Sequence, residues 1–269
     1  MILGNDIAKY QGVVDFNVYK NNSNFVIVKA TEGTTYSDPQ FSRNQSEARR
    51  VGLPLGYYHF ARPDLGNSPE AEADFYLKTL GEVRDGEVLT LDYECPNQVQ
   101  AHVDWCKKFM ERVASKLNGL KCLIYLNQSQ IAGFNWSSIV NAGYGLWIAK
   151  YTYNPNINTF NKGQWKTVAI HQWSNKQTVP GISSPADGDV FFGDVATFKK
   201  YGYKSPTPSI DPRDQQIIDL TAQLEEAKKT IASISQAYDD KIAMVKDDCQ
   251  KKNKEIIAKL HQIEDFINS

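Results

Sequence analysis

Val88-Leu89-Thr90-Leu91-Asp92-Tyr93-Glu94 is an apolar, β-prone run that ends in two carboxylates two positions apart. It reads as a strand, in which residues i and i+2 point to the same side about 6.6 Å apart. Asp92 and Glu94 can therefore converge on one bond of a substrate. Two close carboxylates do not ionise independently, so one is pushed towards the protonated form that a general acid needs near neutral pH. Hydrolysis of a glycosidic bond is the reaction that most often uses such a pair. The bland reading of the same residues is two solvated charges at a strand end.

Outward from this run, short β-branched and aromatic segments alternate with helical patterns. Strands are expected at residues 2–6, 25–30, 55–60, 88–93, 121–126, 145–151, 167–173 and 189–192, and helices at 39–51, 69–80 and 98–117. Such alternation builds parallel strands joined by crossover helices, and eight strands favour a closed barrel over an open sheet. The later connections, such as 153–163, are irregular and rich in Asn and Gly, so the second half is expected to depart from a regular (β/α)₈ pattern. The fold class is α/β, with a barrel domain over residues 1–204.

The composition changes at Ser205-Pro206-Thr207-Pro208-Ser209, which marks a stiff linker over 205–211. Asp211 and Pro212 then form an N-cap and first-turn pair, and no Gly or Pro follows. A single helix over 212–268 would be about 85 Å long at 1.5 Å per residue. Ile217, Leu220, Leu224, Ala227, Ile231, Ile234 and Tyr238 fall at alternating steps of three and four, a heptad seam that calls for a partner helix. The seam shifts through Ile242, Val245 and Cys249 and resumes at Ile256, Leu260, Ile263 and Ile267. Stutters in a coiled coil explain the shifts, and so does a helical hairpin folding back near Asp247-Asp248. A solvated helical linker is the plain alternative. The expected domain 212–269 is thus a helical appendage serving oligomerisation or attachment.

The 269 residues carry 30 basic and 31 acidic side chains, a formal charge of −1 that gives no sign of nucleic-acid binding. No apolar run spans a bilayer, and the first ten residues lack a signal-peptide core, which leads to the expectation of a protein made in the cytoplasm. Cys95, Cys106, Cys122 and Cys249 show no Cys-x-x-Cys spacing, and the histidines form no ligand pair. Reduced thiols, no structural metal and no cofactor are expected.

In a parallel barrel the active site lies at the C-terminal strand ends. Those ends collect Asp6, Glu32, His59, Asp92, Glu94, Tyr125, Tyr151 and Gln172, with Asp187 just before the last strand. Aromatic faces stack on sugar rings while carboxylates and amides bind hydroxyls, so a saccharide groove accounts for both classes.

Several motifs, in order, resemble glycoside hydrolase family 25, the Chalaropsis-type lysozymes of bacteria, fungi and phage endolysins. They are Asn5-Asp6-Ile7-Ala8-Lys9-Tyr10-Gln11-Gly12, with Ala8 at the usual serine; Val28-Lys29-Ala30-Thr31-Glu32-Gly33; Gly56-Tyr57-Tyr58-His59-Phe60; and Leu91-Asp92-Tyr93-Glu94. Ile124-Tyr125, Leu146-Trp147-Ile148-Ala149-Lys150-Tyr151 and His171-Gln172-Trp173 follow. The last is Asp187-Gly188-Asp189-Val190-Phe191-Phe192-Gly193, with Asp189 at the usual Asn. The resemblance implies an irregular (β/α)₅(β)₃ barrel that cleaves the β-1,4 bond between N-acetylmuramic acid and N-acetylglucosamine in bacterial peptidoglycan. It implies Glu94 as proton donor and Asp92 as its partner, with Asp6 and Asp187 completing a ring of four carboxylates. It also points to Tyr58, His59, Tyr125, Trp147, Tyr151 and Gln172 as substrate contacts. Retention is expected, with the substrate's acetamido group as nucleophile.

The residues leave other roles open. Asp6 can simply hold its strand end with Lys29 as partner, Glu32 suits a turn before Gly33, and Asp189 competes with Asp187. The aromatics can fill the barrel, and His59 and Gln172 can be satisfied core polar groups. The reading reached is a muramidase, most simply a phage lysin, that forms a homo-oligomer through its terminal helix and takes peptidoglycan as its partner, without nucleic acid or membrane insertion. A chitinase-like glycosidase and a non-enzymatic wall-binding or virion module are the alternatives.

Overall fold

A computed structural model of the chain describes residues 1–203 and 212–268. The expected linker 205–211, with the Asp211 cap, lies outside the described residues. Two compact units, Met1–Thr207 and Pro208–Ser269, divide the chain.

The first unit is a mixed α/β barrel. Its strands are β1 (Ile2–Ile7), β2 (Phe25–Glu32), β3 (Tyr36–Ser37), β4 (Leu55–Phe60), β5 (Val88–Asp92), β6 (Leu123–Asn127), β7 (Gly145–Ala149), β8 (Ile170–Gln177) and β9 (Ala186–Phe191). The sheet order is β1-β9-β8-β7-β6-β5-β4-β2-β3, and a further β1–β2 pairing closes eight strands into a barrel, leaving β3 as a short hairpin extension of β2. Apart from the antiparallel β2–β3 hairpin, neighbours from β1 through β8 run parallel, whereas β9 is antiparallel to both β8 and β1. This reversal belongs to the departure from a regular (β/α)₈ pattern expected of the second half. Only a short connection separates β8 from β9, too little for the crossover that a parallel return requires. Asp187, expected before the last strand, lies within it and pairs with Asp6.

Alternation along the strands sorts side chains into two cores. Val26, Val28, Leu89, Leu91, Ile124, Leu126, Leu146 and Ile148 face the helical layer. Phe25, Ile27, Val88, Leu123, Tyr125 and Trp147 fill the barrel. Period-two alternation with both faces apolar is what a closed sheet wrapped by helices demands. Gly4 permits closure beside β2, since a Cβ there would stand 2.6 Å from the Phe25 ring.

The outer layer comprises α1 (Phe16–Tyr19), α2 (Phe41–Arg50), α3 (Pro69–Leu80), α4 (Ala101–Lys116), α5 (Gln128–Gly133), α6 (Ser137–Asn141) and α7 (Val195–Lys200). α3 starts where Ser68 accepts the Ala71 N–H at 3.2 Å, with Pro69 in the first turn, and it stops at Gly81, whose φ is 65°. α4 buries Val103, Cys106, Phe109, Met110 and Val113, one stripe at steps of three and four. α7 sends Phe198 against Phe25 and Phe191, with ring centroids 4.8 and 5.4 Å apart, and so plugs the end where β2 begins and β9 ends. The opposite end is left open for the site.

The second unit is one continuous helix, α8 (Pro212–Ile267), so the alternative of a hairpin near Asp247-Asp248 is corrected. Leu220, Leu224, Ile231, Ile234, Tyr238, Ile242, Val245, Ile256, Leu260, Ile263 and Ile267 are all exposed on it. Cys249 is an exposed free thiol, whereas Cys95, Cys106 and Cys122 are free and buried. No helix among the described residues is long and apolar enough to cross a membrane.

Candidate active site

The open barrel mouth holds a cavity of about 390 Å³ lined by Asp6, Asp92, Glu94 and Asp187 together with Tyr58, Tyr125, Trp147, Tyr151 and Gln172. It continues into a second hollow past Tyr125 and Tyr151 towards Asn127 and Lys150, and into a third past Tyr10 and Lys29 towards Lys9 and Tyr36. Together they form a groove across the mouth, a shape suited to a chain molecule.

The four carboxylates arrive from three strands. Asp92 is the last residue of β5 and Glu94 lies just beyond it, with Tyr93 turned outward into the helical core. The i, i+2 relation thus brings both acids to the mouth, as the sequence implies. Asp6 comes from β1 and Asp187 from β9, opposite each other in register.

Burial and mutual repulsion hold this cluster back from ionising. Burial first, then the charge of Asp187, pushes Asp6 well above the usual carboxylate range. Asp92 is raised in the same way by burial and then by Glu94, and one of its oxygens, Oδ1, is buried with no hydrogen-bond partner. Asp187 is pushed up to about 6 by burial. Glu94 reaches solvent at the rim, yet partial burial followed by the charge of Asp187 still raises it, against the opposing pull of Lys29. Coupled acids of this kind share protons as a set.

A hydrogen-bonded chain fixes the floor. Gln172 Nε2 donates to Asp6 Oδ2 at 2.7 Å, and the Tyr125 hydroxyl donates to Gln172 Oε1 at 2.8 Å. The partner of Asp6 is therefore Gln172; Lys29 instead binds Glu32 at 2.9 Å. Glu32 also accepts from Arg62 at 2.9 Å. Burial disfavours its charge, but the hydrogen bonds and charges of Lys29 and Arg62 outweigh burial and hold it below its usual range. Glu32 lines the groove as half of an ion pair.

Among the aromatics, Trp147 is buried against Tyr125, centroids 4.9 Å apart at 78°, and Tyr58 meets its edge at 6.5 Å. Tyr151 is 45 % exposed and offers its face to the groove. His59 does not join them. Strand alternation turns it away from Tyr58 and into the helical layer, where it is fully buried. There it meets Thr31 at 2.7 Å and Glu72 at 2.8 Å and stacks on Phe109. Burial lowers its pKa despite Glu72, so it is a neutral core residue. Its expected role as a substrate contact is corrected.

Asp189, set aside in favour of Asp187, sits fully buried beneath the mouth and accepts the Trp147 indole N–H at 3.0 Å. Burial, then Asp6, raises it well above the carboxylate range. The signal was its two-residue spacing from Asp187, which puts both on one side of β9. Tyr10, Gln11 and Phe60 also line the cavity; they stand inside the family-like motifs but carry no site role in the sequence reading.

Residues 5–182 match the family described as glycosyl hydrolases family 25. An autolytic lysozyme of Clostridium acetobutylicum is 33 % identical over 196 residues, covering 70 % of this chain and 55 % of that protein, so the match spans about half that relative's length. The structure of a muramidase from Trichobolus zukalii superposes with a TM-score of 0.64 at 30 % identity, covering 76 % of this chain and 100 % of the other. The CTP1L endolysin superposes with a TM-score of 0.63 at 29 % identity, covering 74 % and 70 % of the two chains. With more than half of its residues matched by the family model, the chain belongs to glycosyl hydrolases family 25.

Proposed function

We propose that the chain is an N-acetylmuramidase that hydrolyses the β-1,4 bond between N-acetylmuramic acid and N-acetylglucosamine in bacterial peptidoglycan. The observation that carries this is the cluster Asp6, Asp92, Glu94 and Asp187 in a groove walled by tyrosine and tryptophan. Burial and the charge of Asp187 shift Glu94 towards its protonated form, and it stands where solvent reaches it. It passes that proton to the bridging oxygen as the bond to the anomeric carbon breaks. The acetamido carbonyl oxygen of the muramyl residue then closes on that carbon. The unpartnered Asp92 Oδ1 is free to accept the acetamido N–H and orient the closure. Water, deprotonated by Glu94, reopens the ring and yields net retention. Asp6 and Asp187 supply negative charge near the cationic centre as it develops. Tyr58, Tyr125, Trp147, Tyr151 and Gln172 form the saccharide walls.

The wider setting belongs to the same proposal. Likeness to an endolysin supports a phage lysin, made in a host cell and reaching the extracytoplasmic wall on release or within a particle. The exposed apolar seam of α8 supports a homo-oligomer through a coiled coil, with 1–204 as catalytic barrel, 205–211 as linker and 212–269 as appendage. Turbidity clearing of purified peptidoglycan by wild type and Glu94→Gln tests the activity. Equal clearing by both overturns the proton-donor role, and no clearing by either overturns the enzyme reading. N-acetylglucosamine at the new reducing ends would replace the muramidase with a chitinase-like specificity.

A further inference from the structure

One end of the groove is a hollow of about 270 Å³ lined by Lys9, Tyr10, Lys29, Glu32, Tyr36 and Asp38. It shares Tyr10, Lys29 and Glu32 with the carboxylate-lined cavity, so a substituent of a sugar bound at the mouth can extend into it. The β2–β3 hairpin builds its outer wall, Tyr36 pairing in register with Glu32.

The charges in this hollow are unequally committed. Both oxygens of Glu32 are engaged, by Lys29 and Arg62. Both oxygens of Asp38 accept backbone N–H groups, from Lys9 at 3.0 Å and Gln40 at 2.9 Å, and its side chain is buried. The ammonium of Lys29 is bound to Glu32, and that of Lys150, at the far end of the groove, donates to the Thr159 carbonyl at 3.1 Å. Lys9 differs. It is exposed, its Nζ stands 5.3 Å from the ring centroids of both Tyr10 and Tyr36, and among the described residues no carboxylate lies within 4.0 Å of it. Two tyrosines thus hold a cation in place without neutralising it.

That position sits beside a cluster of four acids that share protons, and the negative charge they retain opposes an anionic substrate. A glycan bearing carboxylates needs a counter-charge at the groove to approach them, and Lys9 supplies one. We infer that Lys9, held between Tyr10 and Tyr36, is an anion subsite that receives a carboxylate carried by the muramyl residue, either on its lactyl ether or on an attached stem peptide. The inference rests on the muramidase reading above and names what distinguishes the favoured substrate.

The test measures kcat and KM of full-length wild type, Lys9→Met and Lys9→Arg. Three soluble muramyl oligosaccharides serve as substrates: one with free lactyl carboxylates, one with those carboxylates amidated, and one carrying stem peptides. For Lys9→Met, the preference in kcat/KM for a carboxylate-bearing substrate over the amidated one is expected to fall about three- to tenfold, through KM, as for a partly exposed charge-assisted contact. Lys9→Arg is expected to restore most of it. A fall confined to the peptide-free carboxylate assigns the lactyl group, and a fall confined to the peptide-bearing substrate assigns the stem; each supports the subsite. An unchanged preference in an active Lys9→Met enzyme overturns the subsite alone. Inactivity of wild type on all three overturns the muramidase reading and the subsite with it.

Discussion

The barrel and the terminal helix use the same kinds of apolar residue and treat them in opposite ways. In the barrel, Ile27, Val88, Leu123 and Ile148 are essentially inaccessible to solvent, whereas Ile231, Ile234, Leu260 and Ile263 of α8 each expose half or more of their surface. A closed sheet satisfies every strand edge and both faces from within one chain. A lone amphipathic helix does neither, and its stability depends on a surface from outside. The proposed division, chemistry in the barrel and association through the helix, can be broken experimentally.

The largest effect is expected at Glu94. Glu94→Gln is expected to lower the rate of bond cleavage about 10²–10⁴-fold while leaving the barrel folded and the helical signal of α8 in place. Assay on a soluble oligosaccharide beside circular dichroism checks both halves. A variant that keeps its rate would detach the chemistry from the rim.

Next comes the barrel plug. Phe198→Ala removes a ring packed on Phe25 and Phe191 and is expected to cost about 3–5 kcal/mol in denaturant unfolding. A loss below about 1 kcal/mol would mean that α7 merely rests on the barrel end.

A smaller effect concerns pH. Folded carboxyls whose pKa values lie above their unfolded values bind extra protons in the native state, so stability falls as pH rises from the unfolded value to the folded one. For Asp187 the window runs from the model-peptide range near 4 up to about 6. The raised Asp6, Asp92 and Glu94 act in the same sense. This contribution is expected to lower the melting temperature between pH 4.5 and pH 7, against the opposite contribution of the histidines whose pKa burial lowers. It is therefore read as the difference from Asp187→Asn, which is expected to raise the neutral-pH midpoint by a few degrees. An Asp187→Asn midpoint no higher than wild type at pH 7 would contradict the clustered arrangement.

The smallest effect on the barrel belongs to the helix. Ile234→Asp is expected to shift barrel unfolding by less than about 0.5 kcal/mol while lowering the mass seen by light scattering. A chain ending at Lys204 should be monomeric; equal masses for the full and shortened chains would refute association through α8.

Most of this layout is legible from residue order because alternation writes the barrel directly. The Val88 run, the aromatic strand ends and the helical pattern over 69–80 announce their own structures. The direction of β9 is not legible, since an alternating strand reads alike both ways. Asp187 and Asp189 share a side of that strand, and only depth along it separates a groove residue from a buried partner of Trp147. His59 was misplaced because its neighbour Tyr58 takes the inward position, a parity that motif matching ignores. The two-residue β3 is too short to leave a pattern, yet it carries Tyr36.

The hydrogen bond from Gln172 to Asp6 joins residues 166 positions apart. During synthesis the chain is read from one end, and Asp6 emerges long before Gln172 and Asp187 exist. The half-built mouth therefore lacks two of its walls until nearly the whole barrel has left the ribosome. A cell translating this chain is exposed to an assembled hydrolytic groove only at the end of the barrel's synthesis, and a ribosome that stalls before β9 releases no competent product.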